Sequence, residues 1–225
     1  RAVEKFGHSP HYPVTNNWPH LVQQLADFAS AQVQHHGQPA FLVGHSLGGF
    51  LSAMTAARHP HLARGVLLLD SPLIHGWRAA ALRLAKQASL APSISPGAVS
   101  KKRRQHWPST AAVLAHFQAK PSFARWDPQM LQDYATHGTQ DENGQRVLSF
   151  ERAIETRIYN TLPDNLQSLL RRKPLQCPAA FIGGKSSKEV KQVTMPLTEK
   201  ITQGQVDWLP GTHLFPMEHP HETAE

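Results

Sequence analysis

Cysteine is nearly missing from the sequence. The single Cys177 excludes an internal disulfide and a multi-cysteine zinc knuckle, and nothing demands an oxidising compartment. No run approaches the roughly 20 apolar residues of a membrane-spanning helix, so stable membrane insertion is not expected. Charged residues make up only 17% of the 225, against 40% hydrophobic, a balance that folds rather than staying disordered. The length fits one domain, or one domain with a sizeable insertion. Among 15 histidines no H-E-x-x-H or comparable spacing occurs, so no metal site is expected. An initiator methionine is also lacking: the chain opens at Arg1 on "RAVEKF", which reads as a strand, and its start looks truncated, so the lack of a visible signal peptide excludes none upstream. A cytoplasmic location is the default expectation.

Acidic residues are in deficit, 16 against 23 lysines and arginines, for a net charge of +7. The excess gathers in "KKRR" at 101–104 and "RRK" at 171–173. Such runs are read as solvated helical faces. With no RNA-binding or helix-turn-helix signature beside them, nucleic acid is not an expected partner. Nothing in the composition sets an oligomeric state.

What is present is an alternation of strand and helix signals. After a turn-rich "GHSPHYPVTNN", apolar residues at Trp18, Leu21, Val22, Leu25, Phe28, Ala29 and Val33 fall on one stripe of a helix. Asn16 or Asn17 can cap it, Pro19 suits its first turn, and Gly37 with Pro39 ends it. "AFLVG" at 40–44 is a continuous apolar run, predicted as a strand covered on both faces. An alanine-rich helix follows to His59-Pro60, then the strand "GVLLLD" at 65–70. This order points to a right-handed parallel unit. From Ser71 to about Pro174 strand-like runs vanish. "WRAAALRLAKQASL", "TAAVLAHFQA" and "ERAIETRIYNTLPDNLQSLLRR" alternate with the breakers "APSISPGA" and "HGTQDENGQ", predicting a helical insertion of 71–174 between core segments 1–70 and 175–225. The core resumes with the strand "AAFIGG" at 179–184, a helix over 188–203, the strand "VDWL" at 206–209 and the loop "PGTHLFPMEHP".

Chemistry concentrates in "FLVGHSLGGF", residues 41–50. A serine hydroxyl needs a base within hydrogen-bond reach and donors for the oxyanion it generates. In G-x-S-x-G the serine sits on a sharp strand-to-helix turn flanked by small residues. Gly44, Ser46 and Gly48 meet this pattern, and the Leu47 amide at the helix start can serve the oxyanion. The bland alternative is that Ser46 only caps the helix. The earlier "GHSPH" fails the same test, because Pro10 lacks the amide and His11 stands where glycine is needed.

These residues resemble the nucleophile elbow of the α/β-hydrolase fold family. "AVEKFGHS" is similar to the stretch, written D-x-x-G-H-G in that family, after its fourth strand, with Glu4 and Ser9 replacing the first Asp and last Gly. "GGKSSKEV" matches the loop before the last helices, and "GTHLFPMEHP" the family's histidine loop, with an acidic residue and a proline behind the histidine. The resemblance implies a mostly parallel sheet holding the fold's strands 4 to 8, with the N-terminal strands and the second oxyanion donor upstream of Arg1, and a helical cap. It also implies a serine hydrolase acting on a small-molecule ester, thioester or other acyl compound, with no cofactor. Acyl transfer to another acceptor, carbon–carbon hydrolysis and a non-catalytic binding protein are alternatives. His213 is the expected base, with His219 its rival. The acid departs from the family pattern, since Ser186 and Ser187 occupy the usual position. Asp70 and Glu189 both remain candidates. The cap aromatics Trp77, Trp107, Phe117, Phe123 and Trp126 are candidates for a substrate pocket or for the cap's own core.

Overall fold

The computed structural model describes residues 1–88 and 103–225. Lys101 and Lys102 of the first basic run, the breaker "APSISPGA" and the end of the first insertion helix lie outside the described residues.

Strands β1 (Ala40–His45), β2 (Ala63–Leu69), β6 (Ala179–Gly184) and β7 (Val206–Leu209) form one parallel sheet in the order β1-β2-β6-β7. Each strand but β7 is followed by a connection over the sheet, which parallel pairing requires. Helices α1 (Pro19–His36) and α2 (Leu47–Arg58) pack together, with α2 laid on β1 and β2. Leu21, Val22, Ala53, Met54, Leu68 and Phe181 are all nearly or fully buried in this core. The register aligns His45 with Leu69, Leu69 with Ile182, and Gly184 with Leu209. All four strands therefore end on one edge, and the turns leaving them meet there, the usual ligand side of an open α/β sheet.

Several expectations change. Residues 1–5 form no strand, because β-propensity yields a strand only with a ladder partner and β1 pairs only with β2. The main sheet thus has four described strands where five were expected. β1 is an edge strand, and it is not covered on both faces: Phe41 is 65% and Val43 55% exposed. The cap of α1 is not an asparagine, since Trp18 takes that position in left-handed backbone while the Asn17 side chain accepts from the Asp164 amide. Pro19 and Gly37 behave as expected.

The connection between β2 and β6 contains helices α3 (Gly76–Gln87), α4 (Thr110–Gln118), α5 (Pro128–His137), α6 (Arg152–Asn160) and α7 (Leu166–Arg172). The last two replace one expected helix, broken at Thr161–Asn165 around Pro163. Strands are present here, contrary to expectation: β3 (His106–Trp107), β4 (Thr139–Glu142) and β5 (Gln145–Leu148) make a small antiparallel sheet. The β4-β5 turn is Asn143-Gly144, both at positive φ, the strongest two-residue hairpin signal. Trp107 and Phe117 are buried in a separate cluster against which Phe123 and Trp126 pack. These four aromatics build that unit's own core, and Trp77 is 70% exposed on α3. Near the chain end the expected single helix is two, α8 (Lys188–Val193) and α9 (Pro196–Thr202), separated at Thr194 by a positive φ. Helices α10 (Phe215–Glu218) and α11 (Pro220–Ala224) close the described chain. No described helix is long and apolar enough to cross a membrane.

Candidate active site

Ser46 stands between β1 and α2 at φ 53°, ψ −119°, a conformation that costs a non-glycine residue about 1–3 kcal/mol and persists only under outside constraint. The constraint is visible. The Ser46 amide donates to Leu69 O at 3.0 Å, and its carbonyl accepts from the Gly49 amide at 3.0 Å and from the buried Ser71 Oγ at 2.6 Å. A Cβ on Gly44 would lie 2.2 Å from the Gly48 carbonyl carbon, and one on Gly49 would lie 2.3 Å from Ser71 Oγ. Steric need for glycine thus falls on Gly44 and Gly49. A Cβ on Gly48, expected to collide, meets nothing within 4 Å. Leu47 opens α2, so its amide has no helical acceptor and is free for an incoming oxyanion.

His213 arrives from the loop after β7. Gly211 turns this loop at φ 110°, and Glu218 fastens it by accepting from the Thr212 amide and hydroxyl, each at 2.7 Å. Phe215, fully buried, anchors its far side. The loop also presses on β6, where a Cβ on Gly184 would lie 2.2 Å from Thr212 O. His213 Nε2 is 2.9 Å from Ser46 Oγ, and its Nδ1 is 2.6 Å from Asp70 Oδ2. His219, the rival base, stands at the N-cap position of α11 with Nδ1 3.8 Å from Glu222, and it is His213 that bonds Ser46 Oγ.

Asp70 leaves β2 at φ 42° and is completely buried. Its carboxylate also accepts from the Gly184 amide at 2.7 Å and from Ser187 Oγ at 2.6 Å. Three donors to one buried carboxylate satisfy its lone pairs and offset its desolvation. Glu189, the other candidate acid, is exposed in the first turn of α8 and reaches Ser187 Oγ at 3.4 Å. Ser187, at a position where an acid was expected, instead donates to the Asp70 carboxylate.

Sequence reading missed His45. Its Nε2 lies 2.7 Å from His213 O, and the two rings stand 4.8 Å apart. Since a carbonyl only accepts, His45 carries its proton on Nε2. Burial, and secondarily the neighbouring His213, push its pKa below the ordinary histidine value, which favours that neutral donor. The only hint in the sequence was its place within "GHSLG".

Among the described residues, Asp70, Glu189 and His213 bring potential metal-ligating atoms within 4.8 Å of one another. The 2.6 Å between His213 Nδ1 and Asp70 Oδ2 is the spacing of a shared proton, whereas two ligands of one tetrahedral zinc stand about 3.3 Å apart. The group fits an acid–base pair better than a metal site.

The family model described as "Alpha/beta hydrolase family" matches residues 4–225. The chain belongs to this family. Its fold is similar to that of E-2-(acetamidomethylene)succinate hydrolase, with a TM-score of 0.71 at 23% identity, covering 96% of this chain and 73% of that one. An esterase from Mycobacterium tuberculosis matches with a TM-score of 0.60 at 21% identity, over 90% of this chain and 64% of that one. In sequence, 68 residues are 36% identical to chloroplastic pheophytinase of Arabidopsis thaliana, 28% of this chain and 14% of that protein's length. Within the family frame the constellation can activate an alcohol: a hydroxyl, an imidazole beside it, a buried carboxylate fixing the imidazole's tautomer, and an unpaired amide at a helix N-terminus.

Proposed function

We propose that this α/β hydrolase cleaves carboxylic esters or thioesters through an acyl-enzyme on Ser46. The observation that carries the reading is the unbroken line from Ser46 Oγ to His213 Nε2 at 2.9 Å and from His213 Nδ1 to Asp70 Oδ2 at 2.6 Å.

Asp70 accepts the Nδ1 proton, so the Nε2 lone pair faces Ser46. As Oγ adds to the substrate carbonyl carbon, its proton passes to Nε2, and Asp70 balances the imidazolium. The carbonyl oxygen takes the negative charge and receives the Leu47 amide, a donor worth about 10²–10³ in rate. Nε2–H then protonates the leaving oxygen or sulfur, the carbonyl reforms, and the acyl group stays on Ser46. A water gives its proton to the same Nε2 and adds to the acyl carbon. Collapse returns the proton to Oγ and frees the carboxylic acid. No step calls on a cofactor.

A fluorophosphonate probe on the full chain tests the assignment. Labelling should disappear in Ser46→Ala and fall sharply in His213→Ala. Undiminished labelling of the serine variant would refute it.

A further inference from the structure

We propose that Ser187 is a positioning residue for His213: its hydroxyl fixes the Asp70 carboxylate against the imidazole and moderates the charge that the imidazole meets. The proposal rests on the serine-hydrolase reading above. Ser187 is 1% exposed and stands at the N-cap of α8, where its oxygen accepts from the Val190 amide at 3.2 Å. Capping a helix uses only the oxygen, which leaves the single hydroxyl hydrogen to be placed. Two carboxylates are within reach, Asp70 Oδ2 at 2.6 Å and Glu189 Oε2 at 3.4 Å. Distance gives the hydrogen to Asp70.

Residues 184–187 hold both partners of the pair. The Gly184 amide donates to Asp70 Oδ1 at 2.7 Å and the Ser187 hydroxyl to Oδ2, so each oxygen has its own fixed donor and the plane of the carboxylate is set. The torsion that turns an aspartate carboxylate is otherwise broad. Without the hydroxyl, Oδ2 would be restrained only by the imidazole it is meant to hold. The same segment reaches the loop of the base: the Ser186 amide donates to Gly211 O at 2.9 Å, and the Ser187 amide closes the turn on Gly184 O at 2.9 Å. The 2.6 Å between Oδ2 and Nδ1 is therefore governed from the acid side and from the histidine side by one short turn.

Charge is affected as well as position. Ser187 and His213 donate to the same oxygen, and each bond draws on electron density that the other uses. An Oδ2 shared in this way stabilises the imidazolium less than one bonded to His213 alone. Loss of the hydroxyl thus lets His213 keep a proton on Nε2 to higher pH, where it no longer accepts from Ser46. Other titratable groups face this point: Glu189 from α8 and, across the His213 ring at 4.8 Å, His45 from the elbow. Lys185 and Lys188, beside Ser187 in the chain, are exposed.

The test is the pH dependence of kcat and KM on a short p-nitrophenyl ester with the full chain, kcat being expressed per Ser46 titrated by the fluorophosphonate so that a misfolded fraction does not count. Ser187→Gly removes the hydroxyl at little cost to the helix cap, and Ser187→Ala removes hydroxyl and cap together. In each, kcat should fall about tenfold or more with KM little changed, and the acid-side midpoint of kcat/KM should rise by about half a pH unit. Ser187→Thr, which keeps the hydroxyl, should recover most of both. Ser109→Ala, which takes the matching serine cap from α4 in the insertion, should leave both at parental values. The upward shift should persist when Glu189→Gln is added to Ser187→Gly. Parental kcat and midpoint in Ser187→Gly overturn the proposal even when Ser46 labels. A fall in kcat with an unmoved midpoint, the mark of a serine that only caps its helix, overturns it as well. Absence of Ser46 labelling in the parent is a separate failure, which removes the hydrolase reading and the role of Ser187 with it.

Discussion

Replacing Asp70 by asparagine separates the buried acid from its exposed neighbour and gives a calculable loss. The side chain changes by one atom at a fully buried position, so the outcome follows from its three partners. The Gly184 amide can only donate, so the asparagine oxygen must stay at the present Oδ1 position, 2.7 Å from it. The amide nitrogen then takes the place of Oδ2, facing Ser187 Oγ and His213 Nδ1, both now at 2.6 Å. Ser187 can turn its hydroxyl and accept. His213 must present a lone pair at Nδ1, which moves its proton to Nε2 and points it at Ser46 Oγ. In that tautomer the imidazole cannot take the serine proton. The corresponding change in a Ser-His-Asp enzyme costs about 10⁴ in kcat, equivalent to about 5.4 kcal/mol. We expect Asp70→Asn to lose about that factor in kcat on a short p-nitrophenyl ester, with a circular dichroism spectrum like the parent's. Glu189→Gln should stay within about threefold. The reasoning fails if Asp70→Asn keeps a tenth of the parental rate, or if Glu189→Gln is the more damaging.

The elbow glycines should separate in the same way. Gly44→Ala drives a methyl into the Gly48 backbone and should cost several kcal/mol of stability, about the range of severe core overpacking or worse, whereas Gly48→Ala, with open space around it, should unfold within a few degrees of the parent in a thermal melt. His45 should act on the base through its loop: His45→Phe, which fills the ring space without a donor, should lower kcat about tenfold with KM little changed, while His45→Gln, whose amide can donate to His213 O, should recover most of it. A further consequence is pH-dependent stability. A histidine whose pKa is lowered on folding binds more proton unfolded than folded, so its contribution is present above the ordinary pKa near 6.5 and is lost as pH falls toward the folded value. Denaturant titrations at pH 7 and pH 5 should show a smaller acid loss in His45→Gln than in the parent; equal losses would contradict the assigned burial effect.

The strand-to-helix bend that carries Ser46 was legible in the sequence because its signal is local. Five residues between an apolar run and an alanine-rich helix specify both the bend and what may flank it. The α1 stripe was legible for a similar reason, its spacing being repeated over several turns. The carboxylate that meets His213 could not be chosen from sequence, since Asp70 and Glu189 both follow sheet strands. What separates them is tertiary: the left-handed turn at Asp70 sends its side chain under His213, while Glu189 opens a helix facing solvent. The β4-β5 hairpin was overlooked because its strands are short, polar and mostly exposed, and Asn143-Gly144 was read as a breaker without the pairing it implies. Helix α5 also carried its own signal, Asp127 capping and Pro128 in the first turn. Residues 2–6 failed the other way, with strand-forming side chains and no neighbouring strand.

The bend at Ser46 is held by its own main-chain atoms, which bond the Leu69 carbonyl, the Gly49 amide and the Ser71 hydroxyl. Its own side chain takes no part in that grip. The frame therefore works as a socket that accepts other small side chains at this point, and a cysteine placed there would bring sulfur to the imidazole with the turn undisturbed. Reactivity and architecture can then be varied one at a time at this single residue.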